Sequence, residues 1–178
     1  INILKKKSNL RLIDASNLNT EDINSITSNF DSLLLQSVDN KILSKNNFKI
    51  VSKTKPTKKI FNDLLFAFNI CRNVKSNAIV LTRNSSTVGI GSGQPSRLDS
   101  CKIAIEKMKK FAKINKNDII IGASDAFFPF VDGVETLVQN GVSAIIQPSG
   151  SIRDKEIIKF ADSLGIILVF SKTRHFKH

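Results

Sequence analysis

From Leu10 onward, short apolar runs alternate with stretches whose apolar residues recur at helical spacing. The runs Leu10–Ile13, Leu33–Val38 and Phe48–Ser52 predict strands. Pro56 sets up a helix start, after which Ile60, Phe61, Leu64, Leu65 and Phe68 share one face. Ala78–Thr82 and Thr87–Ile90 flank a polar Asn84-Ser85-Ser86 turn and predict a hairpin. A helix follows, with Ala104, Met108 and Phe111 as its core stripe, then a strand at Ile119–Ile121, a short helix at Val134–Gln139 and a strand at Ala144–Ile146. Ser151-Ile-Arg-Asp154 has capping-box spacing before a helix carrying Ile157, Ile158, Ala161 and Leu164. Ile166–Phe170 closes the series as a buried strand. Strand and helix alternate through the last third, which predicts parallel pairing with helices on both faces, and the hairpin makes the sheet mixed. The expected fold is α/β, in three layers.

Composition narrows the class. The chain has 178 residues, enough for one domain or a piece of one, and its 41% apolar content supports a buried core. Lys and Arg number 27 against 15 Asp and Glu, a net charge of +12 that favours polyanionic partners, whether phosphorylated metabolites or nucleic acid. Cys71 and Cys101 stand alone, without a Cys-x-x-Cys pairing. That argues against a disulfide scaffold or a cysteine zinc site and fits a reducing cytoplasm. The longest apolar runs, Ile166–Phe170 among them, fall far short of the ~20 residues that span a bilayer. The opening Ile-Asn-Ile-Leu-Lys-Lys-Lys has neither an apolar signal core nor an initiating methionine, so residue 1 reads as a fragment boundary.

In open α/β sheets ligands bind at the carboxyl ends of strands, so the residues after each predicted strand are the place to search. Gly89-Ile-Gly-Ser-Gly-Gln-Pro-Ser-Arg97 is a weak dinucleotide fingerprint. It reads either as an anion-binding loop at a helix N-terminus or as a glycine-rich turn. In Ser124–Asp132, alternation sends Phe128 inward and leaves Phe127 and Phe130 to stack on a planar ring, unless the whole loop folds into the core. Asp132 either hydrogen-bonds a heterocycle or caps the helix starting near Gly133. Ser151 caps a helix and leaves nearby N–H groups for a ligand. Arg174 is a phosphate clamp or part of a solvated basic tail, and His175 and His178 lack further metal ligands at workable spacing. Asn77 precedes a strand and, on local rules alone, turns the chain.

Five segments together carry a resemblance: Val74-Lys-Ser-Asn-Ala-Ile-Val80; Val88-Gly-Ile-Gly-Ser-Gly-Gln94 with Ser96-Arg97; Ser124-Asp-Ala-Phe-Phe-Pro-Phe130; Gln147-Pro-Ser-Gly-Ser151 with Arg153-Asp154; and Arg174-His-Phe-Lys-His178. In this order they resemble the C-terminal half of the formyltransferase domain in the bifunctional purine biosynthesis family. That family joins an aminoimidazole carboxamide ribonucleotide (AICAR) formyltransferase to an IMP cyclohydrolase. The resemblance extends over nearly the whole chain and is strongest from Lys55 to His178. It implies a cytidine-deaminase-like α/β layer without zinc, and transfer of a formyl group from 10-formyltetrahydrofolate to the AICAR amine.

The same resemblance implies roles by position. Asn77, Arg97 and Arg174 would contact the nucleotide, with Asn77 near the reacting amine and Arg174 at the phosphate. Leu98, Phe127, Asp132, Ser151 and Ile152 would form the folate site. The family's proton-handling Lys-His pair lies in a Lys-His-x-Asn-Pro motif that this sequence lacks, so no catalytic base is expected in residues 1–178. A homodimer with sites at its interface, and a cytoplasmic location, are implied as well. Asn29-Phe-Asp-Ser32 departs from the family, where a glycine pair usually precedes the strand. The competing expectation is a stand-alone basic α/β module that binds nucleic acid through its charge and exposed phenylalanines.

Overall fold

The structure, a computed structural model, describes residues 4–17, 24–41 and 43–178. The reading of residue 1 as a fragment boundary lies outside the described residues. The chain divides into two compact units, Ile1–Ile42 and Leu43–His178.

The first unit holds a two-stranded antiparallel ribbon, β1 (Ser25–Asn29) and β2 (Ser32–Gln36). Asn29 pairs with Ser32, so Phe30 and Asp31 form the whole turn, and Phe30 takes a left-handed φ of 47°. β2 overlaps the expected Leu33–Val38 strand, starting one residue earlier and ending two residues sooner. Leu10–Ile13 is not a strand; its residues are exposed and join no ladder. A short apolar run becomes a strand only where a partner supplies its hydrogen bonds.

The second unit is a six-stranded mixed sheet with helices on both faces. Its elements are β3 (Phe48–Ile50), α1 (Lys58–Cys71), β4 (Ile79–Arg83), β5 (Ser86–Gly91), α2 (Arg97–Phe111), β6 (Ile120–Ser124), α3 (Val131–Gln139), β7 (Val142–Pro148), α4 (Asp154–Ser163) and β8 (Ile167–Ser171). The strand order is β3-β8-β7-β6-β4-β5. β6, β7 and β8 run parallel, as the alternation over the last third predicts, and the remaining pairings are antiparallel. The β4–β5 hairpin closes through Asn84 and Ser85, both at left-handed φ (49° and 54°), the conformation that matches strand twist in a two-residue turn.

Side-chain alternation sorts the core into two clusters. Val80, Ile121, Ala123, Ala144, Ile146 and Val169 pack against Leu64, Ala67, Phe68 and Cys71 of α1. Ile79, Leu81, Ile120, Ile145 and Leu168 face the other way, against Cys101, Ala104 and Met108 of α2, Val134 and Leu137 of α3, and Ile157 and Ala161 of α4. Two expected core positions are exposed instead. Phe111, the last residue of α2, is 74% exposed, and Leu164, just past α4, is 52% exposed. Both sit where the helix ends and no longer lies over the sheet.

Candidate functional site

The register brings the chemistry-bearing segments to one edge of the sheet. β6, β7 and β8 are parallel, so their C-terminal ends lie together. Ile79 pairs with both Ser124 and Gly91, which adds the start of β4 and the end of β5 to that edge. The residues before β4 and after β5, β6, β7 and β8 therefore share a neighbourhood. A cleft of about 510 Å³ opens among them, lined by Asn77, Ser96–Leu98, Ala126–Phe130, Asp132, Gly133, Arg174 and Phe176, with Pro95 at its rim.

The glycines of the first loop serve packing. A Cβ on Gly89 would lie 2.1 Å from the Ala104 carbonyl oxygen, and one on Gly91 would lie 1.9 Å from that of Ser100. Hydrogen at these positions lets β5 lie directly on α2, which aims the α2 N-terminus into the cleft. Ser96 caps that helix, its hydroxyl accepting the Asp99 N–H at 3.4 Å. The N-terminus of α3 reaches the cleft as well. Its boundary residue Phe130 makes no side-chain cap, and the helix starts at Val131 rather than near Gly133. The Asp132 carboxylate accepts its neighbour Gly133 N–H at 2.7 Å and lines the cleft from the first turn.

The phenylalanines divide as alternation predicts. Phe128 is 1% exposed, held under the cleft against Gly133, whereas Phe127 is half-buried and Phe130 is 52% exposed. The Arg174 guanidinium lies over the Phe127 ring at 4.9 Å, and that of Arg153 lies over Phe130 at the same distance. Beyond β8, burial alternates residue by residue from Ser171 to Phe176, which buries Thr173 and His175 and leaves Arg174 exposed. Backbone hydrogen bonds hold this segment down: His175 N donates to the Asp125 carbonyl at 2.9 Å, and Ser76 N to that of Lys177 at 2.9 Å. The segment is thus tied down along its backbone, while the Arg174 side chain itself is exposed.

Arg97 is nine-tenths buried and shares its donors among the cleft walls. Nη1 donates to the Ser124 hydroxyl at 2.8 Å and to the fully buried Asp125 carboxylate, and Nη2 to Asn77 Oδ1 at 2.7 Å. Asn77 Nδ2 donates to the carbonyls of Gln94 and Pro95, both at 2.9 Å. The chain bends at Ser76 and Asn77 as expected, and the Asn77 side chain is in addition fixed by residues distant in sequence. Beneath the cleft, burial pushes the Cys101 thiol from 9.0 up to about 12 although Arg97 pulls the other way, and burial raises Cys71 as well. Neither offers a thiolate nucleophile at neutral pH.

The family model described as AICARFT/IMPCHase bienzyme matches residues 1–107. The chain belongs to the AICARFT/IMPCHase bienzyme family. It is 43% identical to the bifunctional purine biosynthesis protein PurH of Bartonella bacilliformis over 186 residues, covering 99% of this chain and 34% of the relative. Identity to the proteins of the same name from Oenococcus oeni and Elusimicrobium minutum is 44% in each case, over 99% and 100% of this chain and again 34% of each relative. The chain thus spans about a third of the length of these bienzymes.

Six of the eight positions that the resemblance marks line the one cleft: Asn77, Arg97, Leu98, Phe127, Asp132 and Arg174. Ser151 and Ile152 do not line it, and Ile152 is fully exposed. Their loop is nevertheless adjacent, since a Cβ on Gly150 would lie 3.2 Å from Arg174 Nη2. Capping there takes a modified form: Asp154 accepts the Gly150 and Ser151 N–H groups at 2.8 and 3.2 Å, while the Ser151 hydroxyl accepts that of Arg153 at 3.1 Å. Sequence reading of this bienzyme segment passed over Asp125 and Ser124. A carboxylate one residue past a strand of wholly buried residues, at the ligand edge, was the available signal. Among the described residues, no group of three or more His, Cys, Asp and Glu could hold a metal, and no helix is long and apolar enough to cross a membrane.

Proposed function

We propose that residues 1–178 are the C-terminal part of an AICAR formyltransferase domain, within a cytoplasmic bienzyme of purine synthesis that also carries IMP cyclohydrolase activity. Its fold is read as cytidine-deaminase-like, and the domain as working in a homodimer with sites at the interface. The cleft takes AICAR and 10-formyltetrahydrofolate side by side. The observation that carries this reading is the gathering of Asn77, Arg97, Leu98, Phe127, Asp132 and Arg174 around one space of about 510 Å³.

The chemistry follows from what these groups offer. The AICAR amine is a poor nucleophile, its lone pair delocalised into a ring that bears a carboxamide. Alignment of amine and formyl carbon, proton removal and stabilisation of the tetrahedral oxyanion must together lower the barrier. Arg174 contributes an exposed guanidinium, a fork suited to phosphate oxygens. Asn77 faces the amine, Phe127 supplies a flat apolar wall, and Asp132 accepts hydrogen bonds from the pterin edge. Leu98, and the neighbouring Ser151 and Ile152, bound the folate side. Among the described residues the charged side chains lining the cleft are Arg97, Asp132 and Arg174, and this part is read as positioning the substrates, with the proton handled by the Lys-His pair that the family resemblance implies elsewhere in the bienzyme.

The nucleic-acid reading is not favoured. Arg97 is spent on Asp125, and Phe127 lies under Arg174, so neither extends a basic track open to a polynucleotide. The test is formyl transfer by the full-length bienzyme, followed as release of tetrahydrofolate. Turnover that requires both AICAR and 10-formyltetrahydrofolate is expected. Absence of turnover, or tight salt-sensitive binding of arbitrary oligonucleotides in its place, would overturn the reading.

A further inference from the structure

Asp125 is fully buried and does not line the cleft, yet both carboxylate oxygens are committed at the cleft wall. Oδ1 accepts from Arg97 Nη1, and Oδ2 accepts from the Ser76 hydroxyl at 2.5 Å. Its N–H donates to the Ala78 carbonyl at 3.3 Å, and its own carbonyl accepts from His175 N at 2.9 Å. One residue thus joins the lead-in to β4, the first turn of α2 and the segment that carries Arg174. A buried carboxylate persists only where its charge is paired and its oxygens are hydrogen-bonded, and here Arg97 pairs the charge and each oxygen accepts one hydrogen bond.

The consequence lies one step further out. Asp125 neutralises Arg97 in place and fixes the plane of its guanidinium, whose Nη2 then holds Asn77 Oδ1 at 2.7 Å. Both hydrogens of Asn77 Nδ2 go to the Gln94 and Pro95 carbonyls. A carboxamide has two donor hydrogens and two acceptor lone pairs. Three of the four are therefore taken, and Asn77 keeps one lone pair on Oδ1.

We propose that Asp125 is a positioning residue of the transferase site: through Arg97 it locks Asn77 as an acceptor, and so selects a substrate that presents an N–H, the exocyclic amine. The proposal rests on the AICAR reading of the cleft. It explains why a buried arginine serves there, since Arg97 contributes direction and Asp125 cancels its net charge. An asparagine at position 125 would keep an oxygen for Arg97 and lose the negative charge that neutralises it, so the guanidinium would be held less firmly against Asn77.

The test uses the full-length bienzyme and the variants Asp125→Asn, Asn77→Ala and their combination, with thermal unfolding, AICAR titration and formyl-transfer kinetics. Asp125→Asn is expected to lower kcat/KM for AICAR by about ten- to a hundredfold, the scale of a hydrogen bond to a charged group. In the Asn77→Ala background it should cost less than about threefold, because residues acting through one another are not additive. Equal losses in both backgrounds, or no loss in either, would overturn the proposal. If Asp125→Asn does not fold, Ser76→Ala, which removes the Oδ2 hydrogen bond together with the one the Ser76 hydroxyl accepts from Lys177 N at 3.3 Å, replaces it: a loss confined to the Asn77 background supports the proposal and an equal loss in both overturns it. A parent enzyme that neither binds AICAR nor transfers formyl would instead sink the functional reading itself, which separates the two failures.

Discussion

The guanidinium of Arg174 lies 4.9 Å from the centroid of the Phe127 ring, joining the segment after β8 to the loop after β6. A cation over an aromatic face is attracted by the ring quadrupole, and the contact sets the direction of an otherwise exposed side chain. The arginine keeps its N–H fork for an anion while the ring backs it.

Arg174→Ala in the full-length bienzyme is expected to weaken AICAR binding by about ten- to a hundredfold, corresponding to roughly 1.5–3 kcal/mol for a hydrogen bond to a charged group. The melting temperature should stay the same, because the side chain is exposed. Arg174→Lys should recover part of the affinity, since lysine keeps the charge and loses the planar fork. Calorimetric titration checks both, and unchanged affinity in Arg174→Ala would contradict the phosphate role.

Phe127→Ala removes the flat wall and the backing of Arg174 together. An aromatic contact contributes about 0.5–1.5 kcal/mol beyond area burial, so KM for 10-formyltetrahydrofolate should rise roughly three- to tenfold. Steady-state kinetics with each substrate varied separately measure this; an effect on kcat alone would argue against a binding wall.

Gly91→Ala should destabilise the second unit by about 1–3 kcal/mol or more, the range for forcing an extra methyl into a packed interior. Its Cβ would meet the Ser100 carbonyl oxygen at 1.9 Å and the Ser100 carbonyl carbon at 2.6 Å, and backbone cannot swing aside as a flexible side chain would. Thermal denaturation reads the loss, and an unchanged transition would mean that β5 and α2 do not touch there.

Burial of the thiols makes stability fall in alkali. Cys101 is pushed from 9.0 up to about 12, so the unfolded chain gives up its proton between about pH 9 and 12 while the folded chain keeps it. The Cys101 contribution is fully present below pH 9, declines through that window and levels off above it. Cys71 is shifted in the same direction. Both thiols should resist alkylation at pH 8 until the chain unfolds. Rapid labelling of the native protein would contradict their burial.

Helical periodicity and alternation were legible where the sheet itself imposed them. The α1 stripe, the hairpin, the parallel β6–β7–β8 core and the inward turn of Phe128 follow from apolar spacing, because one face of each element meets a buried layer. β1 was not legible: Ser25-Ile-Thr-Ser-Asn29 has a single apolar residue, and its partner strand defines it. Phe111 and Leu164 continue a helical stripe by spacing, but the helices end beneath them. The bend at Asn77 was legible from local rules, but its side-chain partners were not, since Arg97, Gln94 and Pro95 reach it only across the fold. The glycine loop left anion binding and turn formation open because spacing alone cannot reveal that the Ser100 and Ala104 carbonyls lie against Gly91 and Gly89. The candidate site was readable as a set of loops at one edge; the Asp125–Arg97–Asn77 chain was not, since its partners are ordered only by packing.

A crystal structure of the full-length bienzyme soaked with AICAR tests the central claim most directly. The phosphate should lie within hydrogen-bonding distance of the Arg174 guanidinium, with the exocyclic amine against Asn77 Oδ1. Nucleotide density at another surface, with Arg174 still over Phe127 and Asn77 untouched, would contradict it.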